Sequence, residues 1–77
     1  MWKQSKDTLV RTYEFADFFK AVVFIEKISL LCDRLQHLPQ WQNSLHRVRV
    51  EIAADKAGRM ESAAELQQQI DEIYRGI

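Results

Sequence analysis

An α+β fold, a small antiparallel β-sheet with two helices packed on one face in the order β-α-β-β-α, is predicted by three features of this sequence. Residues 17–36 carry apolar side chains at helical spacing. Residues 47–52 alternate strictly between apolar and charged, as a half-wet strand does. Residues 62–77 return to the helical spacing. At 77 residues the chain is expected to form one domain, spanning 1–77.

The first strand is expected over residues 8–15, where Leu9, Tyr13 and Phe15 share one face and Arg11 interrupts it. Asp17 is a suitable N-cap for the long helix, along which Ala21, Phe24, Ile28, Leu31 and Leu35 recur at steps of three and four. Val22, Ile25 and Cys32 widen that stripe into a face fit to lie on a sheet. Pro39 ends the helix and forces Leu38 toward extended backbone. In the strand 47–52, Val48, Val50 and Ile52 point one way and Arg47, Arg49 and Glu51 the other. Residues 41–45 are its expected hairpin partner, although the turn between them lacks the usual Asn-Gly signal. Gly58 marks a loop, Ser62 and Glu65 are spaced as a capping box, and Gly76 is a suitable stop for the last helix.

Bulk properties narrow the class of function. A chain this short buries only roughly 60% of its unfolded surface, so its core needs support. The lone Cys32 allows no internal disulfide, and neither His37 nor His46 has a neighbour at zinc-site spacing, so no metal is expected. Oligomerisation is the expected support. The formal net charge of +0 gives no bulk attraction to nucleic acid or anionic membrane. No apolar run approaches the ~20 residues that span a bilayer, and the polar start at residues 1–7 lacks the apolar stretch of a signal peptide. An unpaired cysteine suits a reducing compartment, which makes cytoplasmic the expected location.

Two segments carry a family resemblance. Tyr13-Glu14-Phe15-Ala16-Asp17-Phe18 is similar to the aromatic-x-Phe-x-Asp-Phe step from strand to helix in the pterin-4a-carbinolamine dehydratase family. Asp33-Arg34-Leu35-Gln36-His37-Leu38-Pro39-Gln40-Trp41-Gln42-Asn43 resembles that family's acidic-x-x-x-His-His-Pro-x-Trp-x-Asn signature. Val48-Arg49-Val50-Glu51-Ile52 resembles the strand that follows, and Ile70-Asp71 resembles a pair in the last helix. The resemblance covers nearly the whole chain.

It implies dehydration of a 4a-hydroxytetrahydropterin to a quinonoid dihydropterin, a step of pterin recycling. That reaction needs an acid for the departing hydroxide and a base for the adjacent ring-nitrogen proton. Histidine, with an ordinary pKa of about 6.5, suits both tasks. The family uses three histidines and no metal or organic cofactor. Here His37 matches the first, Leu38 occupies the place of the second and Asp55 that of the third, while Asp33 keeps the acidic position. His37 and Asp55 are therefore the catalytic candidates, and Asp33, Leu38 and Trp41 the substrate-binding ones. Trp41 packs into the core by default and is a candidate for stacking on a pterin. A positioned acid or base is worth about 10²–10⁴-fold, and Leu38 can be neither, so the resemblance implies weakened activity.

A non-catalytic dimerisation or protein-interaction module that keeps the dehydratase fold is the alternative. Family members double as dimerisation cofactors for a homeodomain transcription factor or assist partner enzymes. Both readings expect a homodimer or homotetramer, and neither expects direct nucleic-acid or membrane contact. The enzyme reading also requires the loop around Pro39 and the end of the strand 48–52 to converge on one cleft holding His37 and Asp55.

Overall fold

The computed structural model describes residues 2–54 and 60–77. Asp55 and the expected Gly58 loop lie outside the described residues. The elements are β1 (Lys3–Gln4), β2 (Thr8–Glu14), α1 (Phe18–Leu35), β3 (Gln40–Ser44), β4 (Arg47–Ala53) and α2 (Glu61–Arg75). The four strands form one antiparallel sheet in the order β1-β2-β4-β3, which makes the fold α+β as its periodicity predicts. β1 is an addition to the three expected strands. Two exposed polar residues have no alternation to detect, and β1 exists only by pairing with Val10 and Leu9 of β2.

Register follows the alternation. Leu9 faces Ile52 and Tyr13 faces Val48 across β2 and β4, so the apolar sets of both strands share one side of the sheet. That side receives Ala21, Phe24, Ile28, Leu31 and Cys32 of α1 with Ala63, Leu66 and Ile70 of α2, all buried in one cluster. Tyr13, Phe15, Phe24 and Tyr74 interlock there, with ring centroids of neighbouring pairs 4.8 to 5.2 Å apart.

Helix ends explain how the chain reaches the site. The Asp17 side chain accepts the Lys20 N–H at 2.9 Å, capping α1 as expected. At the other end Gln36 takes the left-handed conformation, φ 56°, and the N–H groups of Gln36 and His37 both turn back to the Cys32 carbonyl. This stop reverses the chain in one residue and delivers His37, then Pro39, to the start of β3.

One expectation about α2 is corrected and one holds. The capping box does not form: α2 begins at Glu61 behind Met60, no side chain caps it, and the Ser62 hydroxyl bonds elsewhere. Gly76 ends the helix as expected, and does so at φ −84° without a left-handed conformation. In the β3–β4 hairpin the first turn residue is Leu45, at φ 54°. Asn43 supports that turn by donating to the Leu45 and Arg47 carbonyls at 3.1 and 3.0 Å.

Candidate functional site

His37 sits where three elements meet. The residue lies just beyond the C-terminus of α1, and its ring bridges the end of β4 to the first turn of α2. Nε2 is 3.1 Å from the Ala53 carbonyl oxygen and Nδ1 is 3.1 Å from the Ser62 Oγ. The Pro39 loop thus meets the end of β4 through His37, while Asp55, two residues beyond Ala53 in the sequence, lies outside the described residues. Beside it, the Ala54 N–H donates to the Asp7 carbonyl at 2.9 Å and holds the strand end against the loop before β2.

The other described candidates, Leu38, Trp41 and Asp33, are in different states. Leu38 is 79% exposed and leaves a large apolar side chain in solvent. Trp41 on β3 is half-buried, opposite Val50, and packs against the core from the helix-covered side of the sheet. Asp33 is exposed near the end of α1, where its backbone carbonyl accepts from the Gln36 side chain. Ser62 is the residue that sequence reasoning missed as part of the site. Its signal was present as a serine near a helix start, but the spacing to Glu65 assigned it to a cap.

A second polar cluster lies on the same face of the sheet. The Asp71 carboxylate of α2 accepts from Trp2 Nε1 at 3.0 Å, Arg11 Nη1 at 2.9 Å and the Tyr13 hydroxyl at 2.6 Å. The Arg11 guanidinium lies 4.4 Å from the Tyr13 ring centre. Burial, reinforced by the hydrogen bond and charge of Asp71, pushes the Tyr13 hydroxyl well above its ordinary pKa, with Arg11 opposing in part. This group therefore donates throughout the neutral range. Burial likewise pushes the Cys32 thiol up to about 11, which leaves it a protonated core side chain.

Among the described residues, two further depressions are formed. One, of about 340 Å³, is lined by Glu14, Phe15, Lys20, Tyr74 and Ile77 beside the end of α2. The other, of about 410 Å³, is lined by Lys3, Val10, Arg11, Thr12 and Arg49. Among the described residues, no three His, Cys, Asp or Glu side chains are grouped to hold a metal ion, and no helix is long and apolar enough to cross a membrane.

Comparison with known proteins defines the class. Residues 1–73 match the family described as pterin 4 alpha carbinolamine dehydratase, and the chain belongs to that family. A pterin-4-alpha-carbinolamine dehydratase homologue of Synechococcus sp. (strain WH7803) is 32% identical over 73 residues, covering 94% of this chain and 78% of the relative. One of Opitutus terrae is also 32% identical, over 66 residues covering 86% of this chain and 68% of its own. Among solved structures, a transcriptional coactivator/pterin dehydratase from Brucella melitensis superposes with a TM-score of 0.87 at 25% identity, covering 95% of this chain and 81% of that one. A pterin dehydratase-like RuBisCO assembly factor of the alpha-carboxysome superposes with a TM-score of 0.81 at 15% identity, covering 96% and 87%. That second likeness is one of fold.

Proposed function

We propose that the protein is a pterin-4a-carbinolamine dehydratase of reduced power, acting on a 4a-hydroxytetrahydropterin at His37. The observation that carries this reading is the placement of the His37 ring at the junction of the α1–β3 loop, the β4 end and the α2 start. An imidazole held at such a junction can give or take a proton without a metal or cofactor. Asp55, just beyond β4, serves as a substitute base, and Asp33 supports the charge of the site. Leu38 and Trp41 offer apolar surface to the pterin ring. With Leu38 replacing one proton-transferring group, turnover falls about 10²–10⁴-fold below that of a site with three histidines. The test is the dehydration rate of a freshly generated 4a-hydroxytetrahydropterin. His37→Ala is expected to bring the catalysed rate to background, and an unchanged rate in that variant would overturn the reading.

A second reading, a non-catalytic dimerisation or interaction module, is favoured by the outer surface of α1. Phe19 is 73% exposed and Leu30 69%, with Phe18 and Val22 also exposed on the same helix. Apolar surface gathered in this way on a small protein is a site for association. Under this reading the chain forms a homodimer or homotetramer, or engages a protein partner, and does so in the cytoplasm. Phe19→Glu combined with Leu30→Glu is expected to lower the assembly to monomer in light scattering while leaving the helical circular dichroism unchanged. A wild-type chain that stays monomeric at all concentrations overturns the self-association.

A further inference from the structure

We infer that Ser62 is the proton-carrying partner of His37, joined to Nδ1 of an imidazole locked in a single tautomer. The lock follows from donor and acceptor chemistry. A backbone carbonyl can only accept, so the nitrogen 3.1 Å from the Ala53 oxygen carries the hydrogen, and Nε2 is the protonated nitrogen of the neutral ring. Nδ1 then presents a lone pair, and the group 3.1 Å from it is the Ser62 hydroxyl, which donates to it.

Ser62 is free for this task because of where α2 begins. The helix starts at Glu61, so Ser62 lies within its first turn rather than at the capping position, and its hydroxyl caps no backbone N–H. His37 is placed opposite by the left-handed stop at Gln36, which fixes its backbone against Cys32. Both charge states of the ring are satisfied in place. A protonated Nδ1 donates to the Ser62 oxygen after rotation of one hydroxyl, and the bond to Ala53 persists in both states.

This pairing deepens the dehydratase reading and rests on it for the identity of the substrate. The ring-nitrogen proton goes to the substitute base of that reading, and the Ser62–His37 pair, entering with Nδ1 protonated, serves the departing hydroxide. Nδ1–H gives its proton to Ser62 Oγ as the Ser62 proton goes to the departing hydroxide, which leaves as water, and the ring is left neutral with its hydrogen on Nε2. The proton on Nε2 takes no part.

Nitrogen NMR on histidine-labelled protein tests the pairing without any pterin. The neutral ring of His37 is expected to be the Nε2–H tautomer. Ser62→Ala should move its Nδ1 resonance toward that of an unbonded lone pair, and Ser62→Thr should leave it near the wild-type position. In the dehydration assay Ser62→Ala is expected to lower kcat about 10²-fold with KM little changed, and Ser62→Thr to restore most of the rate. A neutral ring protonated at Nδ1, or an Nδ1 resonance unmoved in Ser62→Ala, overturns the pairing whatever the activity. A full kcat in Ser62→Ala overturns the proton-carrying role. Wild-type protein with no turnover but the expected spectra removes the dehydratase reading and leaves the Ser62–His37 link standing.

Discussion

Arg11 occupies a position that the alternation of β2 assigns to the core, between Leu9 and Tyr13. A guanidinium there is tolerated because Asp71 accepts from it at 2.9 Å and the aromatic face of Tyr13 covers it. Its Nε is buried and has no partner among the described residues, so the pair is not fully repaid by its hydrogen bonds. Asp71 in turn gathers Trp2 and Tyr13, which ties the N-terminal segment, β2 and α2 to one carboxylate. Removing that acceptor leaves three donors without a partner. Asp71→Ala is therefore expected to destabilise the fold by about 2–4 kcal/mol in urea unfolding. Tyr13→Phe, which removes one donor and leaves the ion pair, should cost only about 1–2 kcal/mol. Equal losses in the two variants would contradict a hub at Asp71. None of this is visible in a single sequence. The sequence shows Arg11 as an interruption, and only the fold brings it beside a residue 60 positions away.

At the level of elements, what was legible depended on period and length. α1 and β4 each carry enough repeats for their faces to be assigned, and the buried residues of both fall on those faces, although Val22, expected on the α1 stripe, is exposed. β1 has no period, and the α2 start was misplaced because a Ser-x-x-Glu spacing does not reveal which residue first turns helical. The resemblance of residues 33–43 pointed to His37, but what the ring touches depends on Ala53 and Ser62, which no spacing in the chain connects to it. The element most exposed to a test is the α1 stop. Gln36 holds φ 56° without being glycine, a conformation that glycine adopts freely and β-branched residues resist. Gln36→Gly should be neutral or stabilise by up to about 1 kcal/mol. Gln36→Val should cost about 1–2 kcal/mol and, by shifting the chain reversal, displace His37 from Ala53 and Ser62. Urea midpoints measure the first effect, and the His37 ring resonances the second. Gln36→Val with an unperturbed ring would show that the loop, not the helix stop, positions the site.

For the molecule as a whole, the two strongly shifted groups among the described residues act on stability in the same direction. Tyr13 and Cys32 both hold their protons more tightly folded than unfolded, chiefly because burial disfavours the charged form. As pH rises the unfolded chain releases these protons first, so the unfolded state gains and stability falls. The Cys32 contribution is intact below its ordinary value near 9 and is lost as pH climbs to about 11. That window corresponds to roughly 2–3 kcal/mol for a fully buried thiol. The Tyr13 contribution begins to fall above its ordinary value of 10 and continues beyond the Cys32 window. In a core carried by one sheet face and two helices, a loss of this size is a large part of the total. Stability measured by urea at successive pH values should therefore hold level from neutral pH to about 9 and then decline through 11 and above. Cys32→Ala lowers the starting stability by emptying core volume, yet its decline between 9 and 11 should be shallower. Tyr13→Phe should keep the Cys32 step and flatten the limb above 10. An alkaline limb of unchanged slope in both variants would place the titrating groups elsewhere and separate the burial of these two side chains from the pH response of the fold.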